Sequence, residues 1–291
     1  MQTIQNKDIK VVVSPVAAEL QSIKDNSGTE YLWQGDRAYW AKKAVNLFPY
    51  IGRLTEGCYT YKGKRYEMNR HGFLPETKMS VEAASDSSVC YFLRESDATL
   101  AVYPFPFELR IHYTLDGFTI NITFDVINTG DETMFFGIGG HPGFRVPIEP
   151  GLSFDDYYLE FAGKCDPILI GMSETVYPDG NDIAYPLKDG RIIPMHHAMF
   201  DNDAIILRDT HREVSLKSDK GVKSITVAFP DMPYIGFWHT VKTDAPFVCI
   251  EPWTSLPSRD GIIEDIATQP GLVSLNPGEQ YLSAWSIEIH P

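Results

Sequence analysis

The chain has 291 residues, long enough to bury a large core, and its 43% hydrophobic and 22% charged content is that of an ordinary globular protein. A formal net charge of -14 repels phosphate backbones and anionic lipid, so nucleic acid and membrane surfaces are poor partners. No apolar run approaches the roughly 18–20 residues needed to cross a bilayer.

Strand signals dominate from the first residues. Lys10-Val11-Val12-Val13 opens a β-branched run, and Tyr31-Leu32-Trp33 is followed by the turn signal Gly35-Asp36. Arg37 to Asn46 reads as a loop or short helix. Tyr59-Thr60-Tyr61 and Lys64 to Met68 flank Lys62-Gly63, which predicts a hairpin. Val89 to Leu93 is the next strand. In Phe118 to Val126, apolar Phe118, Ile120, Ile122, Phe124 and Val126 alternate with polar residues, so one face meets a core and the other water. Asp116-Gly117 separates this run from Leu109 to Leu115, a strong hairpin signal.

Later strands are expected at Tyr157–Phe161, Ala204–Leu207, Val214–Lys217, Ser224–Phe229, Gly236–His239, Phe247–Ile250 and Tyr281–Ile289. No stretch holds apolar residues at helical spacing over three turns. Many short strands joined by turns predict an all-β fold, a β-sandwich or barrel. Nothing reads as a linker, a repeat or a low-complexity run, so residues 1–291 are expected to form a single domain. The four cysteines (Cys58, Cys90, Cys165 and Cys249) form no C-x-x-C pair. Met1 to Asp8 lacks the basic flank and apolar core of a secretory signal. Free thiols without an export signal predict a reducing cytoplasm.

One stretch crowds four glycines around a histidine: Gly137-Ile138-Gly139-Gly140-His141-Pro142-Gly143. Glycine permits positive φ or the close approach of a ligand. Pro142 removes a ladder donor and is expected to break the strand there. The reading is an imidazole presented at a stiff strand end, against the structural alternative of a hydrogen-bonded core histidine.

Four other places pair polar groups with turn chemistry. Arg53, after Gly52 and among apolar neighbours, needs a partner if it is buried. His71-Gly72-Phe73 repeats the His-Gly theme. Asp203 lies in a turn entering a strand. Glu251 closes the apolar run Phe247–Ile250, where desolvation raises a carboxyl pKa and improves it as a base near neutrality. A structural Arg–Glu pair is the alternative. Trp253 offers a sugar ring an apolar face or fills the core. His239 lines a pocket or fills the core, and adjacent His196 and His197 point different ways on a strand. H-E-x-x-H, P-loop, G-x-S-x-G and dinucleotide motifs are absent.

In order along the chain stand Pro49-Tyr50-Ile51-Gly52-Arg53-Leu54, Tyr61 to Tyr66, His71-Gly72-Phe73, Gly139 to Phe144, Asn202-Asp203-Ala204 and Glu251-Pro252-Trp253. Together they resemble the aldose 1-epimerase (galactose mutarotase-like) family, in particular its lactose-operon branch. The resemblance spans nearly the whole chain. It implies the supersandwich fold of that family, a large β-sandwich with a sugar cleft across one sheet. It also implies roles: Glu251 as general base on the anomeric hydroxyl, His141 as general acid on the ring oxygen, Arg53 and His71 as hydrogen-bonding groups, and Asp203 as the carboxylate for ring hydroxyls. Trp238 and Phe237 fall where the branch has an aromatic strand bordering the cleft.

Ring opening needs one proton removed and one delivered, which a carboxylate and an imidazolium do without cofactor or metal. If near, each is expected to favour the other's charged form, with a bell-shaped pH–rate profile. The sequence departs from its relatives after His-Gly-Phe, where Leu74-Pro75-Glu76 replaces a run with a basic residue. That lowers the case for a sugar-phosphate substrate. The leading reading is therefore a mutarotase acting on a free aldohexose, as monomer or homodimer. Beside it stand a hexose-phosphate epimerase, a non-catalytic sugar-binding sensor, and a metal enzyme with His71, His141 and Glu251 as ligands. Asp155-Asp156 could hold a structural calcium ion, which nothing requires.

Overall fold

The computed structural model describes residues 1–291. It is an all-β sandwich whose two main sheets are wholly antiparallel and pack face to face. The larger sheet has nine strands, centred on Phe107–Asp116, Thr119–Asn128 and Gln280–His290. The smaller has seven, ordered Ile183–Ala184, Ile168–Leu169, Ile205–Arg208, Tyr234–Trp238, Phe247–Trp253, Gly139–Arg145 and Ala44–Leu47. Gln2–Gln5, Ile9–Val13 and Leu20–Asp25 make a third, three-stranded sheet. The one α-helix, Asp97–Val102, is capped by Ser96 and Thr99. No helix is long and apolar enough to cross a membrane, and all four cysteines are unpaired.

The predicted alternation holds from Ile120 on, while Phe118, expected on the core face, lies half-buried in the turn. In Thr119–Asn128 the residues Ile120, Ile122, Phe124 and Val126 are buried. They join a cluster of 62 buried residues that runs from Ile4 to Ile289 and includes Leu207, Ile235 and Ile250 of the facing sheet. The Asp116-Gly117 hairpin forms with Thr119 opposite Asp116, so Gly117 and Phe118 are the turn residues. Cys58–Tyr61 and Lys64–Glu67 form the expected hairpin around Lys62-Gly63.

One expectation fails. The strand does not break at Pro142 but runs on to Arg145, with Pro142 opposite Ala44. Backbone N–H groups point alternately to the two neighbouring strands. The Gly143 N–H bonds the Lys43 carbonyl on one side, so the donor missing at Pro142 belongs to the other side. There the ladder to Phe247–Trp253 is interrupted between the pairs Gly139–Trp253 and Gly143–Cys249. His141 therefore stands in mid-strand beside a local opening of the sheet.

Candidate active site

That opening sets the site. The flanking pairs keep one register, which puts His141 directly across from Glu251. Val45 pairs with His141 on one side, and Gly236 with Glu251 on the other. Residues in such a row share one face of a sheet. Here the inner face meets the nine-stranded sheet, and the row of His141 and Glu251 lines a cleft of about 460 Å³ on the outer face. That lies within the roughly 300–1,000 Å³ typical of small-ligand sites.

His141 Nε2 lies 3.2 Å from Glu251 Oε2, and both side chains are almost wholly buried. Burial lowers the His141 pKa to about 3 and drives the Glu251 carboxyl well above the usual range, with the Asp203 charge adding to the rise. Burial thus favours the neutral form of each group, against the mutual stabilisation of charges expected from the residue types. Both shifts favour the pair of neutral carboxylic acid and neutral imidazole. It carries the same single proton as a carboxylate–imidazolium pair. No arginine pairs with Glu251, so the structural ion-pair alternative does not apply.

Two tryptophans frame the imidazole. Trp40 stacks on it with centroids 4.8 Å apart, and Trp238 meets it edge-on at 5.8 Å. Trp40 was not legible in the sequence, since it lies in the irregular stretch read as loop or short helix. Its backbone carbonyl accepts a 2.8 Å bond from Trp33 Nε1, and its ring also stacks on Phe247. The only sequence signal was two tryptophans close together in a polar stretch. From the core side, Trp285 packs so close to Gly140 that a Cβ there would lie 2.5 Å from its ring. The glycine thus admits a protein ring rather than a ligand. Phe237 also departs from expectation: it points into the core, while Trp238 lines the cleft.

The remaining predicted residues converge on the same cleft. His71 sits at φ +66° and is doubly tied to Gly52. Its N–H donates to the Gly52 carbonyl at 2.8 Å, and its Nδ1 accepts the Gly52 N–H at 3.1 Å. The neutral ring therefore carries its proton on Nε2, and burial holds its pKa well below normal. It is a fixed donor, set edge-on to His141 at 5.5 Å. Arg53 Nη2 lies 3.9 Å from Asp203 Oδ2, and Arg53 Nη1 donates to the Thr175 carbonyl at 3.4 Å. Asp203 has φ +76° and accepts the Ala204 N–H at 2.9 Å.

Arg70, which sequence reasoning passed over, also lines the cleft and makes no ion pair. Pro75 and Glu76 reach the rim, where Glu76 takes up the Lys42 charge at 2.8 Å. Trp253 borders the cleft as well. His239 fills the core, hydrogen-bonded to His197 at 3.1 Å. Asp156 caps Ser153 and pairs with Lys220, so it is already used structurally. His71 is not part of a metal-type cluster. The donors that come together are His141, Glu251 and Cys249.

A two-sheet antiparallel sandwich of this order, with a cleft on the outer face of the smaller sheet, is the galactose mutarotase-like class of protein. The family model described as aldose 1-epimerase matches residues 1–288, and the chain belongs to that family. The plasmid-encoded protein LacX of Lactococcus lactis subsp. lactis is 33% identical over 98% of both chains. A galactose mutarotase related enzyme from Lactobacillus acidophilus is 34% identical, with a TM-score of 0.94 over 100% of this chain and 97% of its own. A galactose mutarotase-like protein from Lactobacillus casei is 30% identical, with a TM-score of 0.93 over the full length of both.

Proposed function

We propose that this protein is an aldose 1-epimerase that interconverts the α and β anomers of a free aldohexose. The observation that carries the reading is the facing pair His141 and Glu251, 3.2 Å apart in a cleft of sugar size.

Catalysis begins when the proton of the resting pair moves from Glu251 to His141. The carboxylate then takes the proton of the anomeric hydroxyl. The imidazolium delivers its proton to the ring oxygen as the bond from that oxygen to the anomeric carbon breaks. The products are an open-chain aldehyde, a carboxylic acid and a neutral imidazole. Rotation about the bond to the aldehyde carbon presents its other face. Reversal of both transfers closes the ring to the other anomer, and the protons balance.

His71 Nε2–H donates to a sugar oxygen from a ring that cannot be protonated without losing the Gly52 N–H bond. The Trp40 face stabilises His141 while it is charged. Arg53 and Asp203 hold ring hydroxyls, and Trp238 supplies an apolar wall.

The direct test is polarimetry on freshly dissolved α-D-glucose and α-D-galactose. The wild-type protein is expected to speed the approach to anomeric equilibrium. A second reading, the same chemistry on a phosphorylated aldose, is favoured by one residue, the unpaired Arg70. Acceleration with a hexose 6-phosphate and none with free hexoses selects it. Failure with both classes removes the epimerase reading.

Asp203→Asn separates binding from chemistry. Asparagine tolerates positive φ and keeps the carbonyl oxygen that accepts the Ala204 N–H. Losing one charged hydrogen bond to the sugar is expected to raise KM by about 10- to 100-fold, from about 1.5–3 kcal/mol for such a bond. A KM within twofold of wild type would remove Asp203 from the sugar site.

A further inference from the structure

We propose that Cys249 together with His141 and Glu251, of which the last two line the cleft, forms a binding site for a soft divalent metal ion of the zinc type, and that occupation of this site switches the enzyme off. The inhibition rests on the roles given above to His141 and Glu251. The metal site does not.

The sheet register creates the donor set. Cys249 precedes Glu251 by two residues on one strand, so both side chains leave the same face. His141 enters from the neighbouring strand, where the pair Gly143–Cys249 brings the two backbones together. The Cys249 sulfur, a His141 ring nitrogen and a Glu251 carboxylate oxygen all lie within 4.8 Å of one another. All three residues are buried.

Two features set this group apart from an ordinary buried thiol. Buried polar atoms nearly always have hydrogen-bond partners, yet His141 Nδ1 has none and Glu251 Oε2 has only its 3.2 Å contact with His141 Nε2. The reaction, moreover, gives the thiol nothing to do. One sulfur, one nitrogen and one oxygen are the ligand types of zinc, at about 2.3, 2.0 and 2.0–2.2 Å from the ion. Ligands at those radii stand roughly 3.3–3.7 Å apart in a tetrahedron, so closure asks for a side-chain shift of about an ångström. Binding releases the thiol and carboxyl protons to solvent, and the resulting thiolate and carboxylate offset the two positive charges. Magnesium and calcium want six or more oxygens and find only one side chain that offers them. His141 and Glu251 line the cleft, so the ion enters by the substrate's route. Once bound, it holds the lone pairs that would accept protons during turnover.

The test uses full-length protein stripped with EDTA and titrated with Co2+ and Zn2+, with Mg2+ as control. Wild type is expected to bind one Co2+ with a near-ultraviolet thiolate-to-cobalt charge-transfer band. Zinc should displace it, abolish mutarotation in step with occupancy, and be reversed by EDTA. Cys249→Ser is expected to lose the band, keep metal-free activity within twofold, and resist zinc at least tenfold better. If serine disturbs the buried position, Cys249→Ala serves the same purpose. Absence of the band in wild type overturns the site, as does equal zinc sensitivity of wild type and the Cys249 variants. The band is read without substrate, so a protein that binds cobalt through its thiolate but turns over no sugar keeps the site and rejects the enzymatic reading.

Discussion

Glu251→Gln is expected to lower kcat for mutarotation by about 10²–10⁴-fold, the usual contribution of one positioned base. KM should move little, because glutamine keeps the shape and one acceptor oxygen. The same variant should be more stable than wild type at pH 7. The reason is the high pKa of the folded carboxyl, which burial raises well above its ordinary value. Above the unfolded carboxyl's pKa the unfolded chain releases this proton more readily than the folded chain does. Stability therefore falls as pH rises above the unfolded carboxyl's pKa near 4.5. Glutamine removes that slope. The stability gap between variant and wild type should accordingly widen as pH rises from about 4.5 and close below it. Thermal unfolding at several pH values checks this, and a variant less stable than wild type at pH 7 would contradict a protonated resting Glu251.

The pH–rate profile of the wild type follows from the same proton count. The active pair holds one proton. A second arrives on His141 only near pH 3, and the single proton leaves a carboxyl with a raised pKa. The bell expected from residue types alone should therefore be broad, with its acid limb well below that of a free histidine. A limb near pH 6.5 would mean that the imidazole is solvated rather than buried.

Much of this was legible in the sequence because β-structure leaves a period of two. Ile120, Ile122, Phe124 and Val126 declared a core face, and Asp116-Gly117 declared the hairpin. The six residues picked for the site also meet in one cleft. What was not legible was pairing across the sheet. That His141 faces Glu251 depends on the register of two strands over 100 residues apart, and no local pattern encodes it. The burial that neutralises the pair was hidden for the same reason. Trp40 lies in a stretch without periodicity, and Cys249 looked like one apolar residue among Phe247, Val248 and Ile250. Pro142 misled because its effect is one-sided: it opens the ladder toward Glu251 and leaves the ladder toward Ala44 intact.

The largest loss of stability is expected from Gly72→Ala, beside His71. Gly72 has φ +77°, where an L-residue pays roughly 1–2 kcal/mol. A Cβ there would stand 2.2 Å from the Phe48 carbonyl oxygen and 2.7 Å from Pro49 N. These are backbone atoms, and they are pinned. The Phe48 carbonyl accepts the Leu74 N–H at 3.1 Å, and its ring is wedged against Phe107 and Phe136 at 5.1 and 5.6 Å. Relief by movement is therefore closed, and overpacking adds about 1–3 kcal/mol. A combined loss of about 2–5 kcal/mol is expected in urea unfolding, a large share of the 5–15 kcal/mol that holds a typical domain together. Gly117→Ala is the control, since Gly117 also has positive φ but open space where its Cβ would go. It should cost only the conformational part, about 1–2 kcal/mol. Equal losses at the two positions would mean that the Phe48 segment yields. The doubly bonded placement of His71 against Gly52 would then be too soft to fix a donor in the cleft.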